Sequence, residues 1–254
     1  MSEPEIAVLP GAEPWSFTGS DDGVLVLHGF TGNPNSMRGL AEAFAAAGFS
    51  VEMPLLPGHG TTVDDMKATG WADWVGAALA AYDRLAARCS RVLVAALSMG
   101  GGLACRVTLD RPEVLGLVLV NPIAEPPGEA LFDILRLSLE QGVEVTPGIG
   151  SDIARPGVTE SAYDGSPLAP ALSMYEGVRE MAPRLGEIRC PVLLFTSPQD
   201  HVVPPSNSDY LASVVAGPVE RVTCERSYHV ATLDWDRDDI EQRAVDFARK
   251  LTAS

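Results

Sequence analysis

The chain is short of cations. Lys and Arg together number 18 against 34 Asp and Glu, which gives a formal charge of −16 at pH 7 and a pI near 4.5. Such a field repels phosphates, and no Lys/Arg cluster interrupts it, so a nucleic-acid partner or an anionic membrane surface is not expected. Cysteine is sparse too: Cys89, Cys105, Cys190 and Cys224 are scattered, with no C-x-x-C and no grouping with histidine. That spacing offers neither a disulfide framework nor a metal site, and the thiols read as reduced, mostly buried small hydrophobes. The opening Met1-Ser2-Glu3-Pro4-Glu5 lacks the basic and apolar regions of a secretory leader, and no apolar run approaches a membrane span. A cytoplasmic location is the expectation.

What is present is enough apolar matter for a core. Hydrophobic residues make up 46% of 254 and charged residues 20%, which suits one large α/β domain or a core with a small insertion. Short apolar runs alternate with helical patterns, the signature of a mostly parallel sheet covered on both faces. Residues 15–18 and 24–27 flank the turn formers Gly19-Ser20-Asp21-Asp22-Gly23 and predict an antiparallel pair. Asn35 and Ser36 offer an N-cap to a helix through Met37, Leu40, Ala41 and Phe44, closed by Gly48. Strands follow at 50–53, 92–97, 114–120, 192–196 and 219–224, with helices over 71–87 and about 238–251.

Between 123 and 187 the alternation breaks. Two helical pieces (Leu131, Ile134, Leu135, Leu139; and Leu172, Met174, Tyr175, Val178, Met181) are joined by Gly/Pro-rich connectors around 146–157 and 165–170. A structureless loop of this length inside a compact domain is unusual, so an inserted helical cap is predicted. The core is then 1–122 with 188–254, and the cap is 123–187, with Gly142, Gly148 and Gly150 as hinge candidates.

The chemistry-bearing feature is Ser98, in Val92-Leu93-Val94-Ala95-Ala96-Leu97-Ser98-Met99-Gly100-Gly101-Gly102. An apolar strand that turns abruptly through Ser into a helix is the setting of a nucleophile elbow. A serine hydroxyl is a poor nucleophile until a base takes its proton, and the chain has only four histidines to choose from. His28 and His59 sit in Gly-rich loops far upstream and read as structural, and His201 directly follows Asp200. His229 lies between the last strand and the last helix, where the carboxyl ends of parallel strands gather a site, and is the base candidate. Asp200, after strand 192–196, is the candidate for orienting it, in the order Ser…Asp…His. Asp234, Asp236 and Glu225, close to His229 in sequence, read instead as caps or surface groups. Two backbone N–H groups should receive the oxyanion, those of Met99 and Phe30.

These residues reach a family. His28-Gly29-Phe30-Thr31-Gly32, Pro57-Gly58-His59-Gly60, Thr69-Gly70 with Asp73-Trp74, Leu97-Ser98-Met99-Gly100-Gly101, Asp200 and His229-Val230-Ala231-Thr232-Leu233-Asp234 resemble the α/β-hydrolase superfamily. The likeness is nearest to bacterial carboxylesterases and monoacylglycerol lipases with a small cap. Two departures stand out: Ala96 replaces the first glycine of G-x-S-x-G, and Tyr228 precedes the histidine where many relatives have glycine. The resemblance implies an acyl-enzyme mechanism on Ser98, with no metal or cofactor and a small-molecule acyl ester as partner. Leu131, Leu135, Leu139, Met174 and Met181 are the cap residues it would place along the substrate, although plain packing explains each singly. The expected function is hydrolysis of medium-to-long acyl esters, monoacylglycerols among them, in lipid metabolism. Thioesterase, C–C hydrolase or perhydrolase chemistry would use the same triad, and a retired scaffold that only binds is the reading from another class.

Overall fold

The computed structural model describes residues 6–253; the leader expectation at Met1–Glu5 lies outside them. The chain begins with β1 (Trp15–Phe17) and β2 (Asp22–Leu27), then a 3-10 turn (Pro34–Met37) that runs into α1 (Arg38–Ala46). Next come β3 (Ser50–Met53), α2 (Val63–Lys67), α3 (Trp71–Ala86), β4 (Arg91–Leu97), α4 (Met99–Asp110) and β5 (Leu117–Val120). The segment 123–187 holds α5 (Glu129–Glu140), β6 (Val145–Pro147), β7 (Gly165–Pro167), α6 (Leu168–Met181) and a 3-10 stretch (Ala182–Glu187). The chain ends with β8 (Val192–Thr196), α7 (Ser206–Val214), β9 (Val219–Thr223) and α8 (Arg237–Thr252).

Seven strands make one sheet in the order β1-β3-β2-β4-β5-β8-β9, parallel except for β1. Period-two alternation divides the central strands between two cores. Val92, Val94 and Ala96 of β4, with Leu25, Leu27, Leu117, Leu119 and Leu194, pack under α3, α4 and α6. Leu93, Ala95 and Leu97, with Val24, Val26, Val118, Val120 and Phe195, pack against α1 and α8. Both faces are covered, which is why these strands read as unbroken apolar runs. Each fully buried Val or Leu contributes roughly 1.5–3 kcal/mol, so the central strands anchor the fold.

The order of addition places the site. β3 joins one edge of β2 and β4 joins the other, so the chain reverses direction across the sheet between β2 and β4. Loops leaving those two strands diverge and open a crevice at their carboxyl ends. Residues 28–32 and Ser98 lie at that crevice.

Four local expectations change. Residues 15–18 do not pair with 24–27: β2 has both edges occupied, so β1 runs antiparallel on the free edge of β3, Trp15 opposite Met53. β5 is shorter than 114–120, because Val114 N–H is still turned back onto the Arg111 carbonyl at 3.1 Å. The first N-cap is Asn33, whose Oδ1 accepts the Asn35 N–H at 3.0 Å, one turn ahead of the expected residues. The connectors at 146–157 and 165–170 contribute β6 and β7, an antiparallel pair with Thr146 opposite Ser166. Among the described residues no helix is long and apolar enough to cross a membrane.

The segment 123–187 seats on the core through α6, where Gly177 lets the Trp71 indole of α3 lie against the helix backbone. A Cβ added at Gly177 would overlap Trp71 Cδ1, Cγ and Nε1. Gly76, exposed in the middle of α3, has nothing within 4 Å of the same added atom. Alanine at the two positions therefore acts with opposite sign. Gly177→Ala should cost about 1–3 kcal/mol by overpacking, while Gly76→Ala should add about 0.5–1 kcal/mol through helix propensity. Urea unfolding of the two variants beside the native chain measures both, and equal signs would contradict this packing.

Candidate active site

Ser98 has φ +56° and ψ −122°, a conformation that L residues rarely adopt. The surroundings hold it there. Its N–H donates to the Val120 carbonyl at 3.0 Å, and its own carbonyl accepts from Gly101 N at 2.8 Å and Ile123 N at 3.1 Å. The turn works only if the backbones on either side come close. A Cβ at Gly100 would lie 2.6 Å from the Leu27 carbonyl oxygen and 2.7 Å from that of His28. One at Gly29 would lie 3.2 Å from Ser98 Cβ. Ala96, the departure from the usual motif, is fully buried in β4 and pairs with Leu27 and Leu119 on its two sides. A methyl group fits where the pattern has none.

The structure brings Asp200 and His229 together. His229 Nδ1 lies 2.7 Å from Asp200 Oδ2, with side-chain exposures of only 8% and 1%, so the pair is shielded from water. Asp200 Oδ1 accepts the Val202 and Val203 N–H groups at 2.8 Å each, which leaves Oδ2 for the ring. An ionised carboxylate only accepts, so Nδ1 carries the hydrogen and Nε2 is the basic nitrogen. Ser98 and His229 line one narrow cleft of about 30 Å³, together with Gly29, Phe30, Thr31, Asp152 and Glu160. Tyr228, the second departure, does not line it. Its ring stands edge-on to His201 at 4.6 Å, and its main-chain oxygen accepts from Ser197 Oγ at 2.9 Å.

Met99 is the first residue of α4, and N–H groups in a first helical turn have no intrahelical acceptor. Its side chain is fully buried in the core, so only its amide concerns the site. Phe30 lines the cleft, and its peptide is fixed by neighbours. Thr31 Oγ1 donates to the Phe30 carbonyl at 2.7 Å, and the His28 ring bridges its own loop to the next one. His28 Nε2 accepts the Leu56 N–H at 3.1 Å, so Nδ1 is the donor to the Gly29 carbonyl at 3.0 Å. Burial lowers the His28 pKa to about 3, and burial likewise lowers that of His59 to about 4. Both imidazoles are neutral at pH 7 and act as wedges. His201 is the exposed histidine, with Nδ1 2.8 Å from Asp152 Oδ1.

Beside the cleft lies a larger cavity of about 320 Å³, and it also reaches Phe30 and Ser98. Its walls are largely apolar: Ile123, Leu131, Leu135, Ile149, Leu168, Ala171, Met174 and Val203 among them. Leu131, Leu135 and Met174 thus face this space. Met181 does not. It shares the stripe of Met174 but stands seven residues, about 10 Å, further along α6 at its C-terminal end, with 1% exposure and packed in the core. Leu139 is also absent from these walls and is half-buried on α5.

Sequence reasoning passed over four polar residues at the site. Asn121, with φ +44° at the end of β5, donates to His229 O at 2.8 Å and Ser197 Oγ at 3.0 Å and accepts Ser197 N at 2.8 Å. Asp152 accepts the His229 N–H at 3.0 Å. Asp234, read as a cap, is 1% exposed and accepts four backbone N–H groups. Glu160 enters the cleft from the inserted segment, close enough for its Oε1 to lie 2.8 Å from a Cβ placed on Gly32. An Asn before Pro at a strand's end was a visible signal for the first; the others announce themselves only through contacts distant in sequence.

Residues 24–240 match the alpha/beta hydrolase family. The chain belongs to that family. It is 40% identical to a thermostable monoacylglycerol lipase of Bacillus sp. (strain H-257), over 98% of this chain and 99% of that one. It is 24% identical to a carboxylesterase of Bacillus subtilis (strain 168), over 94% and 97%. A solved structure described with the metagenome-derived lipolytic enzymes LipS and LipT superposes with a TM-score of 0.89 at 41% identity, over 96% of this chain and all of that one. As in other alpha/beta hydrolases, the sheet is mostly parallel and the helices lie on both faces.

Glu160 gives this hydrolase a pH signature. Burial pushes its pKa up to about 7, offset in part by His229 and Ser36. Between pH 4.5 and 7 the folded chain therefore holds a proton on this carboxyl that the unfolded chain has released. Stability from this group is then present at low pH and is lost as pH rises through that window. Glu160→Gln, which cannot ionise, should raise the thermal midpoint at pH 8 by roughly 5 °C and leave it nearly unchanged at pH 4. Calorimetry at the two pH values checks this, and a gain at pH 4 alone would contradict it.

Proposed function

We propose that this alpha/beta hydrolase is a serine carboxylic-ester hydrolase that works through an acyl-enzyme, with Ser98 as nucleophile, His229 as general base and Asp200 orienting it. The observation that carries the reading is the buried Asp200–His229 pair, which leaves Nε2 basic in the same cleft as the strained Ser98 turn. Ser98 Oγ attacks the ester carbonyl carbon as Nε2 takes its proton, and the Met99 and Phe30 N–H groups receive the oxyanion. Collapse expels the alcohol, which takes the proton back from Nε2. Water, deprotonated by the same nitrogen, then releases the carboxylic acid.

Substrate polarity is proposed from the two cavities. The apolar 320 Å³ space suits a medium-to-long acyl chain, and it falls within the size range of small-molecule pockets. The polar cleft with Glu160 and Thr31 suits the alcohol, and a hydroxyl-rich one such as glycerol would find acceptors there. Monoacylglycerols combine the two, which agrees with the lipase to which the chain is 40% identical. Thioester, carbon–carbon and peracid chemistry would use the same triad, and the likeness to a lipase and a carboxylesterase favours the ester. Residues 123–187 would act as the cap that roofs the acyl cavity, on a core of 1–122 and 188–254. A cytoplasmic location and a place in lipid metabolism complete the proposal, in keeping with four unpaired thiols.

Purified protein offered p-nitrophenyl acetate, octanoate and dodecanoate, and then 1-monooleoylglycerol, tests this directly. Ser98→Ala should lose at least about 10⁴-fold in kcat on every ester. Leu135→Trp, which fills the apolar cavity, should lower kcat/KM for the dodecanoate about 10-fold while sparing the acetate. Turnover of no ester by the native chain rejects the esterase reading; equal loss on all chain lengths in the tryptophan variant rejects the acyl cavity.

A further inference from the structure

The loop that carries His229 and the inserted segment beside it hold each other by reciprocal carboxylate–amide bonds. From the inserted side, Asp152 Oδ2 accepts the main-chain N–H of His229 and of His201, each at 3.0 Å, and its Oδ1 lies 2.8 Å from the His201 ring nitrogen. The Asp152 carbonyl accepts Val230 N–H at 3.1 Å. From the core side, Asp234 Oδ2 accepts Ala154 N–H at 2.7 Å and Tyr228 N–H at 2.9 Å, and Oδ1 accepts Arg155 N–H at 2.9 Å. The tie continues along the segment: Asn33 Nδ2 donates to the Ser161 carbonyl at 2.5 Å, Tyr163 N–H to the Thr31 carbonyl at 3.2 Å, and Tyr163 Oη to the Gly58 carbonyl at 2.8 Å.

These bonds fall on both loops the reaction uses, since Asp152 grips the residue after Asp200 and the backbone of His229 itself. Hydrogen bonds to an ionised carboxylate are among the stronger ones, and an amide left without its acceptor in this half-buried setting would drive the loop to shift. We infer that Asp152 is a positioning residue for the base His229 and for the loop of Asp200, the carboxylate that orients it. Residues 152–163 are in that case a fixed wall of the catalytic centre supplied by the insertion, not part of a moving cover. The inference rests on the Ser98/Asp200/His229 reading above, and Asp152 acts through His229 rather than on substrate.

Steady-state kinetics on p-nitrophenyl acetate, whose acyl group is too short to use the apolar cavity, tests it. Misplacement of a reacting group by about an ångström can cost 10²-fold, so Asp152→Ala should lower kcat between about 10- and 100-fold with KM within about threefold. Asp152→Asn keeps one oxygen for the two main-chain N–H groups, and the His201 ring can present its other tautomer to the new NH₂. It should recover kcat to within about threefold of native. Should Asp152→Ala not remain folded at the assay temperature by circular dichroism, Asp152→Glu replaces it. That variant keeps the charge but shifts the oxygens by one carbon, and its kcat should fall about 10-fold. A kcat within threefold of native in the alanine variant, or in the glutamate variant if that one is needed, overturns the inference. So does an asparagine variant as impaired as alanine. Ser98→Ala measured alongside separates the two claims: an active Ser98→Ala removes the triad reading, whereas an inactive one with an unimpaired Asp152→Ala removes only the role of Asp152.

Discussion

One strained residue governs the arrangement of the rest. Ser98 stands at φ +56° because β4 stops and α4 starts within a single residue, and that compression is tolerated only where backbones can approach closely. Gly100 lies against the carbonyls of Leu27 and His28, Gly101 against Pro122, Gly29 against Ser98 itself. The sheet order brings the carboxyl ends of β2, β4 and β5 side by side, so each of these contacts joins two strand ends. A distortion of order 1–3 kcal/mol is held by the two packed cores above and below the sheet. The strain is local and its support is global.

Charge is arranged around that turn with similar economy. The two upstream histidines are buried and neutral, so the loop carrying Phe30 keeps a constant charge through the neutral range. Of the carboxyls nearby, Asp200, Asp152 and Asp234 accept backbone N–H groups, and the fourth, Glu160, sits in a cleft where burial disfavours its charge.

The parts legible from sequence are those with local causes. β4 and β8 are runs of apolar residues bounded by turns, α3 has a stripe of Trp74, Ala78, Tyr82 and Leu85, and Ser98 lies at the junction of strand and helix patterns. The pairing of Ser98 with a distant Asp and His was read from their places after strand ends and from the order Ser…Asp…His. Less legible were elements of three to five residues, β6, β7 and α2, too short to show a period. The partner of β1 was also hidden, because it depends on which edges β2 has already given up. Asp152 and Asp234 escaped for a third reason. Asp152, in a Gly-rich connector, looks like a turn former and Asp234, ahead of the last helix, like a cap, and only folding brings each against amides some 80 residues away.

The double grip between residues 152–155 and the His229 loop also bears on how such chains can be recombined. An insertion is usually pictured as a cassette, lifted out at its two junctions and exchanged between relatives. Here the cassette's rear half is laced to the core by Asp152, Asp234, Asn33 and Tyr163, whereas beside β6 the tie is the exposed Lys67–Glu144 pair at 3.0 Å. A chimera that keeps a working centre would cross over near residue 123 and return before Asp152. The exchangeable unit is thus about half the insertion, and the remainder travels with the scaffold.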